Sequence, residues 1–212
     1  MLAGLEDRRA ADPVLHDPAS EEDGSPVLPQ RLVRLLEEHL EPGTNVTLDA
    51  GFNRVWMCLF YRPARAGSLF APGGMAGMGW GLPAALGVKL ARPDEPVVAV
   101  VGDGGFMMSV HALATAVEHA IPVVCVVCND SGLGMVRAHQ ARPVASEFGA
   151  TDHAAIARGF GARGWRVEDS RDLPGALAEA QACGEPAVVD VIMRRDVSPD
   201  VYRARARAAT ET

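Results

Sequence analysis

From Pro29 onward the apolar and polar positions of the chain fall into a regular pattern. In PQRLVRLLEEHL, Leu32, Leu35, Leu36 and Leu40 share one helical face behind a first-turn proline, which predicts a helix. Short β-branched runs then alternate with longer stretches of helical period. The runs 45–49, 97–103, 122–130, 161–168 and 186–193 predict strands, and 78–91, 105–120, 133–140, 152–161 and 171–183 predict helices. VVAVVGD and PVVCVVCND are nearly unbroken in valine, as expected of parallel strands covered on both faces. The chain therefore predicts an α/β fold, a doubly wound and mostly parallel sheet with helices on both faces. In such sheets ligands bind beyond the carboxyl ends of the strands, which directs attention to the residues after Asp49, Val101 and Val127.

The stretch before Pro29 has a different composition. Asp12, Asp17, Glu21, Glu22 and Asp23 stand among Pro, Ser and Gly with almost nothing to bury. This predicts a flexible acidic tail over 1–28, one domain over 29–199, and a C-terminal tail over 200–212 in which Arg203, Arg205 and Arg207 are solvated. The acidic tail reads as a native terminus more than as a cut. With 212 residues and 48% hydrophobic content, one well-cored domain is the economical count. The 20 Lys+Arg against 27 Asp+Glu argue against nucleic acid or an anionic membrane as the main partner. No apolar run of about 18 residues is present, and MLAGLEDRRAADP lacks the order of a secretory signal, so a cytoplasmic protein is expected.

Four cysteines have no spacing that suggests a disulfide framework. Cys125 and Cys128 form a CxxC, but on a strand an odd separation points the two thiols to opposite faces, which predicts packing and not metal binding. His111, His119 and His139 have no partners at ligand spacing and are expected on solvated helix faces, and nothing places Glu118 or Glu147 at a reaction centre.

Candidate chemistry lies at the strand ends. VVAVVGDGGF sets Gly102, Asp103, Gly104 and Gly105 where a buried strand gives way to a helix, a turn that admits a phosphate to backbone amides. A carboxylate beside a diphosphate is repulsive unless a cation lies between them, and a magnesium ion held by carboxylate and phosphate oxygens resolves the conflict. GDGGFM is not the GxGxxG of a dinucleotide site. One crossover later, 27 positions from Asp103 to Asp130, VVCNDSGLGMVR supplies a second oxygen-rich turn. Adjacent strand-end side chains point opposite ways, so one of Asn129 and Asp130 faces the ion, with Asp130 preferred.

GDG followed by an Asn-Asp pair, together with APGGMAGMGWGLPAALGVKLARPDEPVVAVVGDGGF, resembles the diphosphate-binding domain of thiamine-diphosphate enzymes of the acetolactate synthase and 2-oxo acid decarboxylase type. The resemblance runs from about Pro29 to Pro199 and is strongest between Gly73 and Gln140. It implies thiamine diphosphate and Mg2+ as cofactors, with metal ligands Asp103, Asp130 and the carbonyl of Gly132. It further implies that Met78 props the cofactor into a bent shape, that the Ala76 carbonyl accepts from its aminopyrimidine, and that Gly102, Gly104, Gly105, Leu133 and Met135 contact it. LDAGFNRVWM resembles the segment closing over the diphosphate, which makes Asn53 a phosphate contact, although the family often has Gln and His where this chain has Phe52 and Asn53. An Asn there also suits a helix cap.

In that family an activating Glu comes from a separate pyrimidine-binding domain, and nothing in the 212 residues matches it. The resemblance thus implies a subunit without a catalytic residue of its own, active only with a pyrimidine-domain partner in a hetero-oligomer, expected to be a heterotetramer. Its substrate would be a pyruvate-like 2-oxo acid, with the acyl unit protonated or transferred in a carboligation. A non-catalytic cofactor-binding assembly module and a fragment of a longer acetolactate synthase-like enzyme are the other readings.

Overall fold

The computed structural model describes residues 17–202. It contains α1 (Pro29–His39), β1 (Asn45–Leu48), α2 (Phe52–Phe60), β2 (Leu69–Phe70), α3 (Gly81–Ala91), β3 (Val97–Gly102), α4 (Asp103–Ser109) and α5 (Ala112–Glu118). These are followed by β4 (Val124–Asn129), α6 (Gly134–Ala138), α7 (His153–Gly159), β5 (Arg163–Val167), α8 (Leu173–Ala182) and β6 (Ala187–Ile192). The strands form one sheet in the order β2-β1-β3-β4-β6-β5, with every neighbouring pair parallel. The doubly wound α/β fold is the one the valine-rich strands predict.

Alternation along the strands divides the interior into two cores. Val98, Val100, Val124 and Val126 pack with Leu36, Trp56, Met57, Leu173 and Leu177 on one face. Ala99, Val101, Cys125 and Val127 pack with Leu82, Phe106, Leu113 and Ala157 on the other. Because both faces are covered, β3 and β4 have no water-facing side and no place for polar alternation. Cys125 joins the second core while Cys128 packs against the first, so the CxxC thiols diverge as the strand period requires. Burial pushes both thiols well above the ordinary range.

The chain reverses direction between β1 and β3. After β1 it runs outward to β2, and after β3 it crosses the other way to β4. The loops leaving these adjacent strands therefore separate and open a crevice at their carboxyl ends, where an open α/β sheet takes its ligand.

Several boundaries differ from the sequence expectation. The helix expected over 105–120 is split, because Leu113 and Ala114 donate to the carbonyls three residues back, at Val110 and His111, and tighten the chain between α4 and α5. The helix expected from 78 begins at Gly81, since a buried carboxylate holds 78–80 as a loop. Helix α2, with Asn53, Trp56, Met57 and Phe60 buried at helical spacing, and the two-residue β2 lie outside the expected elements.

Residues 17–28 do not behave as a loose segment. Val27 is fully buried, donates to Ile192 at 2.8 Å, and accepts from Arg194 at 2.9 Å, adding a bridge beside Met193. Asp23 accepts from Arg31 and from Ser170. Buried Val27 and Leu28 together with the Asp23 hydrogen bonds anchor an otherwise acidic strip, and composition averaged over the segment conceals them. Tyr202, expected in the C-terminal tail, is also buried and packs edge-on against Trp56 and Phe60. The remaining parts of both expected tails, including Arg203, Arg205 and Arg207, lie outside the described residues. Among the described residues no helix is long and apolar enough to cross a membrane.

Candidate functional site

The crevice between β1 and β3 is a cleft walled by three turns. Ala50, Gly51, Phe52 and Asn53 come from the end of β1, Gly102 to Gly105 from the end of β3, and Asp130 with Gly132 to Val136 from the end of β4. Met78 closes one side, and Leu32, Trp56 and Met57 supply an apolar floor.

Asp103 lies at its centre, 2% exposed. Its Oδ1 accepts from Gly104 N–H at 2.7 Å and its Oδ2 from Gly132 N–H at 2.9 Å, so one carboxylate ties the β3 turn to the β4 turn. Burial, and then the facing Asp130 carboxylate, push its pKa up to about 6 against the partial relief of those two N–H donors. A buried carboxylate with a second one turned toward it is a site short of positive charge. Gly132 spends its N–H on Asp103, which leaves its carbonyl as the polar atom it can offer to an ion.

Asn129 and Asp130 divide as strand geometry requires. The Asn129 amide turns into the protein, donating to Asp190 Oδ1 at 2.9 Å and to the Thr151 carbonyl at 3.2 Å. Asp130 lines the cleft with Asp103 and accepts from Arg137. Among the described residues no three His, Cys, Asp or Glu side chains converge as a ligand group. The two cleft carboxylates, Asp103 and Asp130, are hard oxygen donors that suit a hard cation completing its shell with oxygens from an anionic ligand.

The backbone just after Asp103 has no room for side chains. A Cβ at Gly104 would lie 2.5 Å from the Leu133 side chain and 3.3 Å from that of Met78. One at Gly105 would overlap the Asp49 carboxylate. Met78 and Leu133 thus meet over Gly104 and form a lid on the turn, and Met135 lies along the same wall.

Two placements depart from expectation. Asn53 donates to the carbonyls of Asp49 and Val100, both at 3.0 Å, and thereby pins the ends of β1 and β3 together. With both amide protons so used it offers an anion only its oxygen, which would repel phosphate; the helix cap is Gly51, not Asn53. Asn53 is a support for the crevice. Ala76 is outside the cleft wall, in a loop where its φ of 48° puts a non-glycine residue in the left-handed region. By contrast, His111, His119 and His139 are exposed as expected, and Glu147 pairs with Arg195.

Two features were not read from the sequence. Asp49 is fully buried, and its carboxylate accepts from Ala50, Gly79 and Trp80 N–H at 2.8, 2.9 and 3.0 Å, clamping the loop that carries Met78 to the end of β1. A strand-terminal Asp before Ala-Gly was the available signal. His153, Asp190 and Asn129 form a buried cluster behind Asp103, with Asp190 accepting from both the His153 backbone and the Asn129 amide. These residues come from three distant parts of the chain, and no local pattern announces them.

Residues 49–191 match the thiamine pyrophosphate enzyme C-terminal TPP binding domain family. The chain belongs to that family. Among similar proteins, this TPP-binding domain is 35% identical over 184 residues to a probable acetolactate synthase large subunit of Methanococcus aeolicus, covering 82% of this chain and 31% of that protein. It is 36% identical over 167 residues to the acetolactate synthase of Bacillus subtilis, covering 77% of this chain and 29% of the relative. A solved structure, the thiamine diphosphate-dependent 4-hydroxybenzoylformate decarboxylase of Rhodococcus jostii RHA1, superposes with a TM-score of 0.77 at 27% identity, covering 82% of this chain and 34% of that one. The chain therefore spans about a third of the length of these relatives.

Proposed function

We propose that this chain is the diphosphate- and magnesium-binding half of a thiamine-diphosphate enzyme that decarboxylates a pyruvate-like 2-oxo acid and protonates or transfers the acyl unit, in the manner of acetolactate synthase. The observation that carries the reading is the pair of carboxylates, Asp103 and Asp130, brought together at the switch point of the sheet inside a family-matched domain. Asp103, Asp130 and the Gly132 carbonyl hold Mg2+, and the turn at Gly102, Gly104 and Gly105 admits the diphosphate to the backbone. Met78, Leu133 and Met135 shape the apolar wall and exclude water, and Asp49 and Asn53 keep the wall in register. Bound thiamine diphosphate supplies the electron sink that a 2-oxo acid needs to lose its carboxylate.

The residues that activate the pyrimidine side lie outside these 212 positions. Relatives three times as long favour a single longer polypeptide of which this is one part. A separate pyrimidine-domain chain, assembled as a heterotetramer, is the other arrangement, and the mass of the native enzyme separates the two.

The test titrates the chain with thiamine diphosphate with and without Mg2+ and follows CO2 release from pyruvate. Binding that requires both Mg2+ and Asp103, with CO2 released only once a pyrimidine-domain polypeptide is added, is the expected result. Turnover of pyruvate by the chain alone refutes the half-site reading. Equal cofactor binding by wild type and Asp103→Ala refutes the metal assignment.

A further inference from the structure

Asp130 brings to the cleft a second negative charge that an amide would not, and the structure provides for it. Arg137, seven positions on in α6, donates from its guanidinium to Asp130 Oδ2 at 2.5 Å, with side chains only 15% and 20% exposed. The second terminal nitrogen of Arg137 is buried without a hydrogen-bond partner and lies 2.6 Å from where a Cβ on Gly132 would stand. Gly132 is therefore the residue that leaves the guanidinium room, and an N–H goes unpaired to keep the cation there. A buried donor left unsatisfied calls for a compensating role. Charge is that role: Asp103 and Asp130 together carry two negative charges, and Arg137 brings the local sum to minus one.

We propose that Arg137 is the built-in counter-charge of this site, and that it sets the division of affinity between a bare divalent cation and a metal-bound diphosphate. The proposal rests on the metal and diphosphate reading above. With Arg137 in place a lone divalent ion meets one net negative charge and is held weakly. A diphosphate meets a guanidinium-neutralised Asp130 in place of a naked carboxylate. Arg137 is a positioning residue in this account, acting through Asp130.

Removing the cation moves the two affinities in opposite directions, which mere loss of loop support does not. A unit charge a few ångströms from the ion, at the effective dielectric of a partly buried site, changes affinity by about tenfold or more. For the full chain with Arg137→Met, Mn2+ binding measured by electron paramagnetic resonance without cofactor should tighten about tenfold. Thiamine diphosphate binding at saturating Mn2+, measured by calorimetry, should weaken severalfold. Arg137→Lys, which keeps the charge, should stay near wild type in both. If Arg137→Met weakens both ligands, or leaves both unchanged, the counter-charge role is wrong. A wild-type chain that binds neither ligand overturns the metal and diphosphate reading itself.

Discussion

Replacing Asp103 by Asn should make the metal-free chain more stable at neutral pH while abolishing its response to Mg2+. Asp103 has its pKa raised from 3.8 to about 6. The folded chain thus holds a proton that the unfolded chain releases. The stability contributed by this group is fully present below about pH 4 and is lost as pH rises through about 6, the reverse of a salt-bridged carboxylate. A shift of about two pKa units at ~1.4 kcal/mol each sets a ceiling near 3 kcal/mol for the penalty of the buried charge at pH 7.5. Asn removes that charge but keeps a single acceptor oxygen for the two N–H groups of Gly104 and Gly132, and the one left unpaired costs about 1–2 kcal/mol. The net expectation is a gain of about 1–2 kcal/mol at pH 7.5, or about 2–8 °C in Tm for a chain of this size. At pH 5 the wild type has regained about 1.4 kcal/mol of its protonation term and the difference should close to roughly zero. Thermal and urea unfolding of both proteins at the two pH values, without metal and then with Mg2+ and thiamine diphosphate, measures this directly. A variant no more stable than wild type at pH 7.5, or one whose advantage is the same at pH 5, would refute the claim that Asp103 is a strained, cation-seeking carboxylate.

Two further substitutions test the supports of the site. Asp190→Ala removes the buried acceptor of the His153 backbone N–H and one of the two acceptors of the Asn129 amide, leaving it the Thr151 carbonyl. It should lower unfolding free energy by about 3 kcal/mol or more in a urea titration, where a loss under 1 kcal/mol would show the cluster to be dispensable. Gly105→Ala drives a methyl into the Asp49 carboxylate that holds Gly79 and Trp80. It should cost about 2 kcal/mol and loosen the Met78 loop, detectable as faster amide exchange at residues 78–80.

Much of this protein is determined by local sequence. The valine-rich strands can be buried only between two helical layers, so VVAVVGD and VVCND announce a parallel sheet and place Asp103 and Asp130 at its carboxyl edge without reference to anything distant. The odd spacing of Cys125 and Cys128 likewise fixes their divergence, because strand side chains alternate. The tertiary structure alone decides what those edge residues meet. That Asp49 clamps the Met78 loop, that Asn53 spends its amide on two strand carbonyls, that Arg137 neutralises Asp130, and that Val27 and Tyr202 anchor stretches of tail-like composition all depend on which turns the strand order makes adjacent. Periodicity reports which face of an element is apolar. Partner choice for a buried polar group is made across the sheet, between residues tens of positions apart, and is settled only when β1, β3 and β4 lie side by side.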